Sequence, residues 1–396
     1  MIADFEVLSC DAGWRNYYFL KLIDDSGHVG WAEFDGAFSP PGVADAIPYY
    51  AQRLRGKSPL DHERIFAELY GMSRPAPIGL TAEAMGAIEN ALLDLKGKIL
   101  GMPCYQLLGG KQREAVPVYW SHCASWRINH PTFYKPPITD LEGVRQAGRD
   151  ARAAGYKAVK TNMFKYTDGR PKAWMSGFGV PWNPGLTISP ALIRDVCEHL
   201  QALIEGAGPD VQVMIDLNFN ARTEGYLQLV RALGDFPLYW IELDNHNPEA
   251  LALIRQQSAS PIASCETLFG TRQFLPYFQH QSMDVAIVDV IWNGAWQSMK
   301  IANAADAFDV NIAGHNFYGH LATMINVHFL AAMQNVKVLE LDVDRLKWDN
   351  EFYPNSFEMK DGAIVVPDTP GWGIEPDEEA IRARPARVIS KYLGFD

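Results

Sequence analysis

Three acidic residues each end a short apolar run: Asp216 in Val-Met-Ile-Asp, Glu242 in Tyr-Trp-Ile-Glu and Glu266 in Pro-Ile-Ala-Ser-Cys-Glu. They stand 26 and 24 residues apart, the length of one strand, loop and helix. If each run is a strand of a parallel barrel, the three carboxylates meet at the carboxyl-terminal rim, where such folds carry their active sites. Close carboxylates repel one another unless a cation lies between them, and hard oxygen ligands select Mg2+. The pattern points to an enzyme that depends on Mg2+.

A second pair keeps the same rhythm. Asp289 ends Asp-Val-Ala-Ile-Val-Asp, and His315 follows Ile-Ala-Gly 26 residues later. On neighbouring strands the two would lie within hydrogen-bond reach. An aspartate bonded to an imidazole fixes its tautomer and stabilises its protonated form, which makes a general acid or base near neutral pH. Strand side chains alternate faces, so Lys160 and Asn162 share one face of Ala-Val-Lys-Thr-Asn while Thr161 takes the other; Asp216 and Asn218 pair in the same way. With that face inward, the rim holds Lys160, Asn162 and the three carboxylates.

The elements that must position these groups fall into two regimes. Residues 1 to about 35 alternate as strands, with Asp24-Asp25-Ser26-Gly27 as a turn before Val29. Met85, Ile88, Leu92, Leu95 and Ile99 then step as one helical stripe, with Thr81 as the expected N-cap and Gly101 as the stop. From about residue 116, short apolar runs recur: Val116–Ser121, Ala158–Asn162, Val211–Asp216, Tyr239–Glu242, Ile262–Glu266, Val285–Asp289, Val310–Ala313 and Val338–Leu341. Eight such strands with helices between most of them favour a parallel barrel. Neither G-x-G-x-x-G nor G-x-x-x-x-G-K-[ST] occurs, so a nucleotide fold lacks its phosphate loop. The expected α/β organisation is an α+β capping domain over 1–115, a barrel over 116–360, and a segment over 361–396 returning to the cap. Residues 165–190 read as an irregular insertion able to cover the site.

The ordered set of motifs resembles the enolase superfamily, mandelate racemase subgroup, over nearly the whole chain. The matching pieces are Gly30-Trp31-Ala32-Glu33, Ala87-Ile88-Glu89-Asn90-Ala91-Leu92-Leu93-Asp94 with Gly101-Met102-Pro103, Lys160-Thr161-Asn162, the acids Asp216, Glu242 and Glu266, Asp289 with His315, Glu340, and Pro370-Gly371-Trp372-Gly373-Ile374-Glu375. The resemblance implies a capped (β/α)7β TIM-like barrel, Mg2+ on the three carboxylates, and removal of the proton α to a substrate carboxylate. A dication beside the developing enediolate charge lowers that barrier. Glu340, Asn218 and Lys160 would hold the carboxylate end. Trp14 and Arg15, where this family has a specificity loop, and His122 after the first barrel strand are expected to contact the rest of the substrate. A homo-oligomer, dimer or octamer, is implied as well.

One departure shapes the expected chemistry. The family's racemases commonly carry Lys-x-Lys on the second strand, and the second position here is Asn162, which cannot take up a proton. Racemisation needs an acid–base on each face; a syn elimination needs only His315. The expected activity is dehydration of an aldonic or aldaric acid to a 2-keto-3-deoxy acid. An epimerase, racemase or cycloisomerase is the alternative, and a non-catalytic sugar-acid binding protein a reading of a different class. A zinc hydrolase would want His-x-His on the first strand, which Trp120-Ser121-His122-Cys123 does not supply.

Bulk properties agree. A net charge of −12 argues against nucleic acid as a partner. Five scattered cysteines without a Cys-x-x-Cys pair indicate neither a disulfide framework nor a zinc ribbon. No apolar run approaches the ~18 residues needed to span a bilayer, and the start lacks a signal-peptide pattern, so no membrane partner and a cytoplasmic location are expected.

Overall fold

The computed structural model describes residues 1–36, 42–73, 78–178 and 184–388. The amino-terminal part is an antiparallel sheet of β1 (Ile2–Ala12), β2 (Arg15–Asp24) and β3 (Val29–Phe34), with helices packed on it. Asp24 closes the β2–β3 turn by accepting the backbone N–H groups of Ser26 and His28.

The helix Leu80–Leu100 carries the expected stripe, and Gly101 ends it in the left-handed region at φ 65°. Its N-cap is Gly79, without a side-chain bond, so Thr81 lies inside the first turn and does not cap it. Burial extends well beyond the apolar stripe because this helix is wedged between cap sheet and barrel. Its buried polar residues are satisfied by backbone groups of the barrel and tail. Glu89 accepts from the N–H groups of Trp296 and Gln297. Asn90 bonds the Val290 carbonyl and the Ala295 N–H, and Asp94 accepts from Trp31 and Trp372. Glu33 at the end of β3 likewise accepts the N–H groups of Gly319 and Ala322. The acidic motif residues of the cap thus fasten it to the barrel.

The barrel is built from β4 (Ala115–Ser121), β5 (Ala158–Asn162), β8 (Gln212–Asp216), β9 (Leu238–Glu242), β10 (Ile262–Ser264), β11 (Val285–Val288), β12 (Asn311–Gly314) and β13 (Val336–Asp342). All neighbours pair in parallel, and β13 pairs with β4 to close the ring. All eight expected strands are present. The insertion after β5 is less irregular than its composition suggests, because it opens with an antiparallel hairpin of β6 (Phe164–Thr167) and β7 (Arg170–Ala173). After β13, β14 (Met359–Lys360) and β15 (Ala363–Val365) form a hairpin whose second strand pairs antiparallel with β4. The chain then returns to the cap, where Trp372 bonds Asp94 and Asn90 and Asp11 bonds Arg384. No helix among the described residues is long and apolar enough to cross a membrane.

The barrel interior explains why the rim is polar. Tyr119, Ala158, Met214, Trp240 and Val338 form one buried layer within the ring. Two residues further along each strand, on the same face, come Ser121, Lys160, Asp216, Glu242 and Glu340. The strand period carries packing below directly into chemistry above.

Candidate active site

Strand register brings the first acids together: Asn162 is paired with Asp216, and Asp216 with Glu242. Glu266 needs a different device, since strict alternation from Ala263 would point it away from the axis. β10 ends at Ser264, before the position expected from the apolar run. Cys265 then takes a left-handed φ of 88°, and its N–H is held by the buried Asp244 carboxylate at 2.9 Å. The reversal turns Glu266 inward. Asp216, Glu242 and Glu266 offer oxygens within 4.8 Å of one another. Burial, then the charge of Glu242, pushes Asp216 up to about 8 despite the opposing Lys160. Burial likewise raises Glu266 well above the usual carboxylate range, with Asp244, Asp216 and Glu242 adding to it against His315. Three carboxylates this close together, two of them buried, fit a divalent cation.

Lys160 supplies the positive charge nearest to them. Its Nζ lies 2.8 Å from Glu242, 3.2 Å from Glu340 and 3.7 Å from Asp216. Trp240 Nε1 donates to the other Glu242 oxygen at 2.9 Å, and Asn218 donates to Asp216 through both its backbone and its side chain. Asp216 and Glu242 are therefore oriented before any ligand arrives.

Across the rim, His315 Nδ1 meets Asp289 Oδ2 at 2.6 Å, as the spacing predicts. Asp289 is held by the N–H groups of Ile291 and Trp292 and by the Tyr318 hydroxyl at 2.6 Å. Burial would lower the imidazole, but the carboxylates of Glu266, Asp289 and Glu340 outweigh it and push His315 up to about 10. Its free face looks toward Glu266, with Nε2 at 3.5 Å from that carboxylate. Glu340 accepts from Ser121 Oγ at 2.5 Å and from the Asn316 N–H at 2.8 Å. Burial opposes its ionisation, yet Lys160 and His315 hold it well below the usual range.

These groups open onto a cavity of about 280 Å³. His122, Lys160, Asn162, Asp216, Asn218, Glu266, His315 and Glu340 line it, while Glu242 and Asp289 stand one layer behind. Trp14 and Arg15 are not among its lining residues. The Arg15 guanidinium turns to the buried Asp342 at 2.7 Å, whose second oxygen accepts Trp126 Nε1 at 2.7 Å. Trp14 packs on Trp126 with ring centroids 4.9 Å apart and donates to the Tyr134 hydroxyl. Both residues brace Trp126 from behind.

The apolar part of the wall escaped the sequence reading. Met175, Phe178, Phe219, Trp292 and Phe317 all line the cavity. A signal was available: Phe219, Thr267 and Phe317 lie one to three residues beyond a predicted rim residue, where the backbone still faces the mouth. Met175 and Phe178 come from the stretch after β7, within the 165–190 insertion expected to cover the site, though no spacing singles them out.

Fold and rim together define a capped barrel with a triad of carboxylates at its mouth. Family models match two stretches: mandelate racemase / muconate lactonizing enzyme, N-terminal domain, over residues 15–109, and enolase C-terminal domain-like over residues 142–380. The chain belongs to the mandelate racemase and muconate lactonizing branch of the enolase superfamily. It is 28% identical to a D-xylonate dehydratase of Haloferax volcanii, over 96% of this chain and 88% of that one. It is 26% identical to a D-gluconate dehydratase of Thermoproteus tenax, over 96% and 72%. A solved structure from Burkholderia xenovorans strain LB400 superimposes with a TM-score of 0.97 at 54% identity, covering 99% of this chain and 98% of that one. That protein, provisionally named an L-alanine-DL-glutamate epimerase, is bound to magnesium and fumarate.

Proposed function

We propose that this protein is a Mg2+-dependent dehydratase of an acid sugar, removing the proton α to the carboxylate and eliminating the β-hydroxyl to give a 2-keto-3-deoxy acid. Asp216, Glu242 and Glu266 hold the metal, which when bound neutralises charge that develops on the substrate carboxylate. Lys160 fixes that carboxylate's position through its ammonium, and the ionised Glu340, 3.2 Å from that ammonium, holds Lys160 in place. With the charge of Glu266, the carboxylate that contributes most to raising His315, offset by a cation, the neutral ring takes the α-proton on Nε2 and gives it to the departing hydroxyl. Asp289 keeps Nδ1 protonated through the cycle. Asn162, Asn218 and His122 meet hydroxyls, and the aromatic wall takes the C–H face of the acid; ligand sites commonly combine a few placed polar groups with an apolar lining.

The observation that carries this reading is the one-sidedness of the proton-transfer groups. His315 has its carboxylate partner, while the position on β5 where a second base would act is the amide of Asn162. The dehydratase names of the curated relatives support the same choice. An epimerase is the second reading, favoured by the name of the 54% identical structure. The two are separated by the product formed from acid sugars in D2O: a 2-keto-3-deoxy acid marks the dehydratase, and α-deuterium in an inverted acid marks the epimerase. EDTA is expected to abolish turnover and Mg2+ to restore it, and His315→Ala to remove it; activity that survives either change would refute the assignment.

A further inference from the structure

The loop after β4 is bent into an unusual shape, and the bend has a chemical result. His122 and Ala124 both lie in the left-handed region, at φ 52° and 70°, which L side chains rarely adopt. Neither is glycine. The Cys123 N–H is tied to the Lys160 carbonyl at 2.8 Å, so the bend is locked to β5. His122 is stacked on Trp126 at 4.0 Å with a 19° interplanar angle, and Trp126 is fixed by Asp342. The imidazole is thereby aimed into the cavity beside Lys160 and Glu340.

Its protons are fixed by a relay. Ser121 Oγ is 2.5 Å from Glu340 Oε1 and 3.0 Å from His122 Nδ1. Glu340 is ionised and can only accept, so the single serine proton goes to it. Ser121 Oγ must then accept from His122, which places the imidazole proton on Nδ1. Burial, the foremost cause, pushes the imidazole down to about 3, so the ring carries one proton. No hydrogen bond among the described residues reaches His122 Nε2.

We infer that His122 presents a bare Nε2 lone pair to the cavity and selects substrates carrying a hydroxyl donor at that point. This rests on the hydroxy-acid reading above and deepens it. A group locked as an acceptor rejects a carboxylate, a carbonyl or an alkyl group there, since each leaves the lone pair unpaired. It also keeps His122 out of proton transfer: its role is to specify, while His315 reacts.

Two measurements decide the matter. In Mg2+-loaded protein labelled with 15N-histidine, long-range imidazole correlations should show His122 protonated on Nδ1 and bare on Nε2 from pH 6 to 8, assigned by the signal lost in His122→Phe. Ser121→Ala should release this tautomer. Calorimetry with D-gluconate and hexanoate, equal in length but differing in hydroxyls, should show His122→Phe weakening gluconate five- to tenfold and hexanoate less than twofold. Equal weakening of both, no change in either, or an Nε2–H tautomer in the unmodified protein overturns the inference. A bare Nε2 with no gluconate binding to the unmodified protein would sink the hydroxy-acid reading, and the hydroxyl partner with it. An Nε2–H tautomer with gluconate binding intact would sink the inference alone.

Discussion

Replacing Lys160 by methionine removes one charge and little volume from the centre of the rim. Lys160 lies within 4 Å of Glu242, Glu340 and Asp216, and all four side chains are nearly inaccessible. At an effective dielectric of 20, one such pair about 3 Å apart is worth on the order of 5 kcal/mol before desolvation is subtracted. Removing one partner of a buried pair costs about 3–5 kcal/mol, because the other charge is left uncompensated. With roughly 2.1 cal/mol/K per residue over 396 residues, the unfolding entropy is about 0.8 kcal/mol/K, so Lys160→Met should melt about 4–6 °C lower in EDTA. Saturating Mg2+, at about 100 times its Kd, should raise the unmodified protein by about 3 °C. The variant should gain more, since the dication then faces carboxylates that no ammonium has screened. Turnover should fall by about 10²–10³, the loss typical of a group that stabilises developing charge. Scanning calorimetry with and without Mg2+, together with steady-state kinetics, checks all of this. A melting point within about 1 °C of the unmodified protein, an equal Mg2+ shift and unchanged turnover would refute Lys160 as the counter-charge.

Two further outcomes follow from groups elsewhere in the structure. Burial pushes Glu89, at the cap–barrel junction, up to about 7 from an ordinary 4.5. Between those values the folded chain holds a proton that the unfolded chain releases, so this group's contribution is complete below about pH 4.5 and declines by up to about 3 kcal/mol as pH rises to 7. Glu89→Gln, which keeps an acceptor for the Trp296 and Gln297 N–H groups, should flatten the melting temperature between pH 5 and 8; an unchanged slope would show that Glu89 is already ionised. Asn162→Lys puts an amine where a second base would act, and should add α-proton exchange with solvent while raising dehydration no more than about twofold. A large gain in dehydration would mean that one acid–base is insufficient.

Much of this was legible because barrel strands are buried on both faces and announce themselves as apolar runs. Asp216, Glu242, Lys160, Asn162, Asp289 and His315 were read by counting along those runs, and Glu340 from the family resemblance. Where the backbone departs from strand geometry, face parity fails even though the repeat spacing holds. Glu266 reaches the rim only through the left-handed Cys265, and the gap after Ala263 argues against it by parity. Thr81 looked like a cap, but Gly79 is the N-cap of that helix and gives it no side-chain bond. Sequence shows Arg15 as a charged loop residue without showing its partner, the buried Asp342. The relay from Glu340 to His122 joins β13 to β4 across 218 residues of chain, and no local pattern records it.

The central claim is that one acid–base on one wall performs elimination. Its most direct test is proton NMR of the Mg2+-loaded enzyme acting on a panel of aldonic and aldaric acids in D2O. The account predicts a 2-keto-3-deoxy acid as the product, with no inverted substrate formed and no turnover in His315→Ala. Deuterium at the α-carbon of an inverted acid, with no keto-deoxy product, would contradict it.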